Sequence, residues 1–183
     1  MDQDECAARI AQAGDEGWAT LDLSGEGLEY LPPEIGNLTG LTELDLSDNQ
    51  LTALPPEIGN LTGLTWLYLG VNQLTALPPE IGNLTALTRL DLSDNQLTAL
   101  PPQIGNLAGL NWLDLQRNRL TGIPVTLCQL TKLRKLLLSD NLLTVIPPCM
   151  DELIDQGVVN LSGNPLRGGH RPGHWRVHRS HER

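Results

Sequence analysis

Three large side chains that could form a binding surface recur at a fixed interval. Trp66, Arg89 and Trp112 are each separated by 23 residues, and Tyr68 follows Trp66 by two. The chain contains 4 Trp, 2 Tyr and no Phe, so half of its aromatic residues fall in this set. Aromatic and Arg side chains carry much of the energy of protein interfaces. The spacing predicts a partner-binding site at these four residues, while an Arg stacked between two Trp that only stabilises the structure is the alternative.

Acidic side chains accompany these residues at the same interval. The predicted partner-binding carboxylates are Asp45, Asp48, Asp91, Asp94 and Asp114. They could attract Lys or Arg of a partner, bind a hard cation such as calcium, or be plainly solvated, with Asp48, Asp94 and Asp140 hydrogen-bonding their own turns. Glycoside hydrolysis also uses paired carboxylates, but a flat face lacks the apolar pocket that raises the pKa of one of them.

Catalytic groups are missing from most of the chain. All four His lie near its end: His170, His174, His178 and His181. Without His, residues 1–166 cannot form a Ser–His or Cys–His arrangement, and no Gly-rich phosphate loop follows a strand. The last three His would share one helix face and could bind zinc, but Pro172 and neighbouring Gly disfavour a helix. The sequence therefore predicts no catalytic residue, metal or cofactor.

The 23-residue interval extends over most of the chain as seven coils. They begin at Trp18, Leu41, Leu64, Leu87, Leu110, Leu133 and Gln156. In the second coil Leu44 and Leu46 alternate with polar residues, which predicts a short strand with one buried face. Strands of neighbouring coils would stack about 4.8 Å apart in a parallel sheet. Trp66 and Trp112 would then flank Arg89 on consecutive strands.

The remainder of each coil contains turn signals. Six coils place Asn at their ninth position, where its amide can satisfy backbone groups of the bend, and the first coil has Glu26 there. In the second coil Pro55 and Pro56 should end the extended segment and open a short helical turn, with Ile58 and Leu61 facing inward.

The pattern LxxLxLxxNxL, seen at residues 41–51, and the string at residues 51–62 resemble the 23-residue subclass of leucine-rich repeats. The chain is similar to bacterial members and to intracellular Ras-group proteins. The resemblance implies an α/β solenoid or horseshoe, with a concave parallel sheet and short helical or 3-10 turns on the convex side. It also implies protein–protein binding through the concave face, as a signalling scaffold or bacterial effector. A carbohydrate or small-ligand receptor using Trp66, Arg89 and Trp112, and a structural surface protein, are the alternatives.

Three segments are expected: a capping helix at residues 1–17, seven repeats at 18–166, and a flexible basic tail at 167–183. Asp2 and Glu5 predict a capping box. The helix would run through Ala13 and end at Gly14, with Cys6 and Ile10 covering the first coil.

Charge and cysteine content indicate partner and compartment. The net charge is −10, and 21 of the 22 acidic residues lie in residues 1–166. Such a body repels nucleic acid and anionic membranes and favours a protein with a basic surface. Three Cys without close pairs predict no disulfide framework and a reducing, cytoplasmic location. Export without a cleavable signal peptide is the alternative, and a monomer is expected.

Overall fold

Seven short strands form one parallel sheet in chain order. The computed structural model describes residues 2–167. The strands are β1 (Thr20–Asp22), β2 (Glu43–Asp45), β3 (Trp66–Tyr68), β4 (Arg89–Asp91), β5 (Trp112–Asp114), β6 (Lys135–Leu137) and β7 (Val159–Asn160). Each strand pairs with the next in the 23-residue register, so Arg89 lies between Trp66 and Trp112. The predicted α/β leucine-rich repeat solenoid is confirmed. The predicted tail, including its His residues, lies outside the described residues apart from Arg167.

The other side of the coils consists of short 3-10 helices. They span Pro33–Asn37, Pro56–Asn60, Pro79–Asn83, Pro102–Asn106, Val125–Gln129 and Pro148–Met150. In the second coil Pro55 is extended at φ −68° and ψ 146°, and Pro56 starts the helix. The fixed φ of Pro suits the first helical position, where no N–H is needed. Ile58 and Leu61 point into the core and are fully buried, as the sequence predicts.

A ladder of Asn side chains joins each coil to the coil before it. Asn72 accepts a hydrogen bond from the Leu51 N–H (3.0 Å) and donates to the carbonyls of Leu46 (2.9 Å) and Leu69 (3.1 Å). Each Asn therefore satisfies buried backbone groups of its own coil and of the preceding one. The first described coil has no preceding coil to satisfy, and its equivalent residue, Glu26, instead accepts from Arg9 at 3.4 Å.

Helix α1 (Gln3–Asp15) covers the first coil. The capping box is present: the Glu5 N–H donates to Asp2 at 2.8 Å, and the Asp2 N–H donates to Glu5 at 3.0 Å. Cys6, Ile10 and Ala13 are buried. The expected helix end at Gly14 is wrong, because the Glu16 N–H still bonds back to Gln12 and the left-handed residue is Gly17, at φ 66°. A second short helix, α2 (Asp151–Asp155), precedes β7.

The 3-10 helices pack closely because one column consists of Gly. It contains Gly36, Gly59, Gly82 and Gly105. A Cβ atom on any of them would lie 2.5–2.7 Å from an atom of the residue 21 positions later in the next coil. Such separations are shorter than real Cβ contacts, so this column has no room for a side chain.

Cys128 occupies the next position of this column, 23 residues after Gly105. Cys149 lies 21 residues after Cys128. The two form a disulfide, with 6.1 Å between their Cα atoms. The expectation that the Cys would not pair is wrong. The reason is geometric, because the contact that excludes a side chain at Gly36 or Gly105 brings residues 128 and 149 together. Cys6 remains a buried free thiol, and burial raises its pKa.

Reduction of this disulfide is expected to destabilise the fifth and sixth coils, which it joins. Cross-linking a loop of about this length stabilises a fold by about 3 kcal/mol in the loop-closure picture. The melting temperature of the native chain should fall by about 5–10 °C in reductant. The variant Cys128→Gly/Cys149→Glu, which restores the pair used by the earlier coils, should melt at one temperature with or without reductant. Equal melting of the native chain in both conditions would contradict the expectation.

No helix within residues 2–167 has the length and apolar character needed to cross a membrane.

Candidate functional site

Trp66, Arg89 and Trp112 occupy the solvent-facing side of adjacent strands. Leu67 follows Trp66 on β3, and Leu90 follows Arg89 on β4. Both leucines point into the core and are fully buried. Trp66 is 39% exposed, Arg89 is exposed and Trp112 is half-buried. The guanidinium carbon of Arg89 lies 5.6 Å from the Trp66 ring centroid, within the range of a cation–π contact. No equivalent contact with Trp112 occurs in residues 2–167, so Arg89 stacks on one of its two Trp neighbours.

The third coil adds a residue that the sequence reasoning missed. Tyr68 is half-buried beside Trp66, and Val71, three residues after Tyr68, is 48% exposed. Val71 has a left-handed backbone with φ 56°. A β-branched residue is rarely found there, since the conformation costs about 1–2 kcal/mol. The available signal was that Val stands where the other coils have Asp, Gly or Arg.

The fifth-position Asp residues are partly occupied by local hydrogen bonds. The Oδ1 atom of Asp45 accepts from the Ser47 N–H (2.9 Å) and hydroxyl (2.6 Å), and Asp91 forms the same pair with Ser93. Their Oδ2 atoms accept none of these bonds. The alternative in which Asp48, Asp94 and Asp140 bond their own turns is wrong about the residues: among residues 2–167 the turn bonds are formed by Asp45 and Asp91, and Asp94 bonds Arg117.

Asp94 is neutralised within the chain. Arg117 from the next coil approaches it with two nitrogens, Nε to Oδ1 and Nη2 to Oδ2, both at 2.5 Å. These hydrogen bonds and the adjacent charge raise the pKa of Arg117. Asp48 has Val71 as the equivalent residue of its next coil and forms no such ion pair within residues 2–167. Of the two, Asp48 is the carboxylate left available to a partner.

Asp114 differs from the other carboxylates because it is only 6% exposed. Its Oδ1 accepts from the Gln116 N–H (3.0 Å), and its Oδ2 accepts from the Gln116 Nε2 (2.9 Å). Gln116 in turn accepts from the Ser139 hydroxyl at 2.9 Å. Burial raises the pKa of Asp114, and the negative charge of Asp91 on the adjacent strand raises it further. The face thus has one desolvated carboxylate beside a solvated one.

The described side chains of this face suit non-covalent recognition of another surface. Within residues 2–167 no three His, Cys, Asp or Glu side chains gather closely enough to hold a metal ion. The exposed groups are aromatic rings, guanidinium groups and carboxylates on a rigid sheet. Such groups recognise a surface by area and charge.

Two families match the chain. The family described as "Leucine-rich repeat region" matches residues 20–98, and the family described as "Leucine rich repeat" matches residues 85–143. Together the matches span β1 to β6. None of the curated proteins is significantly similar to the chain in sequence.

Solved structures share the fold. A leucine-rich repeat protein of Leptospira interrogans is 34% identical with a TM-score of 0.70, over 86% of this chain and 46% of its own length. The ectodomain of the Arabidopsis thaliana receptor kinase GASSHO1/SCHENGEN3, solved in complex with Casparian strip integrity factor 2, is 42% identical with a TM-score of 0.66. That similarity covers 75% of this chain and 17% of the ectodomain chain. The chain therefore spans about half of the first protein and about a sixth of the second.

Proposed function

The chain belongs to the leucine-rich repeat family, and from that premise we propose that it is a protein-binding module. Its partner contacts the concave sheet at Trp66, Tyr68, Arg89 and Trp112, defined here as the aromatic strip. The carrying observation is the departure of these residues from the repeat: three adjacent strands present large aromatic or guanidinium groups to solvent, where β2 presents Glu43 and Asp45.

Energetics favour this strip as the centre of an interface. A Trp side chain buries a large apolar area on contact and has few rotatable bonds to restrain. The face around the strip is acidic, with Asp45, Asp48 and Asp91 available for steering a basic surface. Asp94 contributes less, because Arg117 already holds its charge. The partner is therefore a protein with a basic surface, rather than nucleic acid or membrane, and it is bound by a monomer without catalysis.

A structural neighbour supports a protein ligand. The Arabidopsis ectodomain was solved in complex with Casparian strip integrity factor 2. The similarity concerns the repeats, whereas the identity of a ligand depends on the exposed strand residues that vary between repeats.

The proposal is tested by selecting a displayed random-peptide library on the immobilised chain. Peptides selected on the native chain are expected to lose at least about tenfold in affinity for Trp66→Ala/Trp112→Ala, because truncating two central aromatics removes most of a small interface's energy. Tyr30→Ala is the matched control, since Tyr30 is 48% exposed outside the strip. Both variants should keep the native circular dichroism spectrum. Full affinity in a folded double variant would refute the strip as the site.

A carbohydrate receptor is the second candidate, favoured by the exposed Trp66 ring next to Arg89. The two classes respond differently to salt. Attraction between an acidic face and a basic partner weakens as ionic strength rises, whereas stacking of a sugar on Trp changes little. Salt-insensitive binding to a glycan array, with no selected peptide, would favour the receptor.

The cysteines support a proposal for the compartment. Disulfides persist in oxidising environments and are rare in the cytosol. Cys149 is exposed and Cys128 half-buried, so reductants reach the bond. We therefore favour export over the cytoplasmic location. Thiol labelling of the protein from its native source, unfolded in denaturant without reductant, should find one free Cys per chain, the buried Cys6. Three would favour the cytoplasm.

A further inference from the structure

Basic side chains are concentrated at the junction of the fifth and sixth coils. Of the seven Lys and Arg in residues 1–166, three lie within four consecutive positions: Lys132, Arg134 and Lys135. All three are exposed, and none of them belongs to an ion pair within residues 2–167. Asp155, the equivalent of Lys132 one coil later, is exposed and forms no ion pair with it. Three neighbouring positive charges therefore lack a carboxylate partner in the described part of this acidic chain.

A cleft of about 660 Å³ opens beside two of these cations. Lys132 and Arg134 line it together with Asn111, Thr131 and Gln156. Each of these five side chains has an N–H or O–H donor, and no Asp or Glu is among the described residues that line the cleft. Sites for small organic ligands have volumes of about 300–1,000 Å³. The cleft therefore has the size of a ligand site and donors for a negatively charged, acceptor-rich group.

The same cleft interrupts a ladder of Thr side chains along this edge of the sheet. The hydroxyls of Thr65 and Thr88 donate to the carbonyl oxygens of the residues 23 positions earlier, at 2.8 and 3.1 Å. The next two residues of this column are Asn111 and Arg134, whose side chains form no hydrogen bond within residues 2–167. Gly157 follows them, and a Cβ atom there would meet nothing within 4 Å. Side-chain donors that join the earlier coils are thus replaced by donors open to a ligand.

The donors of the cleft match a phosphate group. A guanidinium group binds two oxygens of a phosphate with parallel N–H bonds, and a Lys ammonium adds a compact charge. A phosphate monoester carries a charge of about −1.5 to −2 at pH 7 and three acceptor oxygens. It therefore offsets more of the positive charge of Lys132, Arg134 and the adjacent Lys135 than a carboxylate or sulfate ester, which carries a single charge.

We propose that this cleft is a second binding site of the protein, which takes a small organic phosphate monoester. Arg134 and Lys132 hold the phosphate oxygens. The carboxamides of Asn111 and Gln156 and the hydroxyl of Thr131 form hydrogen bonds to the organic part. The site lies beside the aromatic strip and does not depend on a protein partner.

Isothermal titration calorimetry of the full chain with glycerol 3-phosphate, glucose 6-phosphate and AMP tests the proposal. At least one of the three should bind, more tightly than inorganic phosphate and than its own unphosphorylated form. Lys132→Ala/Arg134→Ala should weaken that ligand about tenfold or more, because it removes both charge-assisted contacts. Arg9→Ala/Arg119→Ala is the matched control: it removes two positive charges outside the cleft and should keep the native affinity. Residues 168–183 are common to all these proteins, so their charges cancel in the comparison.

A second variant tests the cleft without changing its charge. Asn111→Thr gives the fifth coil the residue that the second, third and fourth coils have at this position. Its hydroxyl can rejoin the Thr ladder, so the melting temperature should stay the same or rise. Affinity for the phosphate monoester should fall about threefold or more with the loss of the carboxamide. A position with only a structural role would not lose affinity while it keeps stability.

Four results would overturn the inference: no binding by any of the three monoesters, equal binding of inorganic phosphate, equal binding of glucose 6-sulfate and glucose 6-phosphate, or native affinity in Lys132→Ala/Arg134→Ala. A lower melting temperature of that double variant without loss of affinity would assign the cations to folding. Trp66→Ala should leave the phosphate affinity unchanged, since Trp66 does not line the cleft. The proposed function therefore stands or falls separately.

Discussion

Asn95→Ala is expected to destabilise the protein by about 3 kcal/mol, which is a large part of the total stability of a domain. The side chain is 6% exposed. It accepts from the Leu74 N–H at 3.0 Å and donates to the carbonyl of Leu69 at 2.9 Å. Alanine would leave both buried groups unpaired in the middle of the stack. Thermal unfolding followed by circular dichroism should show a decrease of about 10 °C.

Asn106→Ala is the control for that measurement. Asn106 closes a 3-10 helix and is exposed, so its removal should change stability by less than about 0.5 kcal/mol. An equal loss in the two variants would show that the Asn ladder contributes no more than a surface Asn.

Gly82→Ala is expected to lose about 2 kcal/mol although it adds a single methyl group. The new Cβ would lie 2.6 Å from the carbonyl oxygen of Gln103 and 2.7 Å from its Cβ. A backbone atom cannot rotate away, so the coils must separate locally, and overpacking of this kind costs about 1–3 kcal/mol. Denaturant unfolding measures the loss directly.

Gly40→Ala provides the comparison for the same chemical change. A Cβ at Gly40 meets no atom within 4 Å, and the residue does not have a positive φ. Alanine there should be neutral or stabilise by about 0.5 kcal/mol through the unfolded chain. If Gly82→Ala is as well tolerated, spacing in the Gly column does not limit the packing of the coils.

The fold could be predicted because one local rule recurs in every coil. Alternation at Leu44 and Leu46 set the strand, and Pro56 set the helical turn. The disulfide could not be found from that rule, since Cys128 and Cys149 are 21 residues apart, while strand residues align at 23. On the convex side, a residue contacts the residue 21 positions later rather than 23. This offset becomes visible only in the packing of each Gly against the next 3-10 helix.

The candidate site was predictable in position and less so in detail. The register placed Trp66, Arg89 and Trp112 on consecutive strands, but the ring on which Arg89 stacks depends on rotamers. Asp114 is buried, hydrogen-bonded by Gln116 and in register with Leu137, and the repeat pattern specifies neither of these neighbours. The ion pair between Asp94 and Arg117 could have been read from their 23-residue separation, because residues of one column are neighbours.

The Asn ladder gives the solenoid a direction, with consequences for how such a chain can change length. Asn72 satisfies the coil before it and is followed by Asn95, which satisfies the coil of Asn72 in turn. An additional 23-residue unit inserted between them would carry an Asn that hydrogen-bonds the backbone groups of the coil before it. The backbone groups of the inserted unit would in turn be hydrogen-bonded by the Asn of the coil after it. Whole-unit duplication therefore leaves no backbone group unpaired. Gene duplication can thus widen the arc, and with it the reach of the concave surface, in discrete and structurally neutral steps.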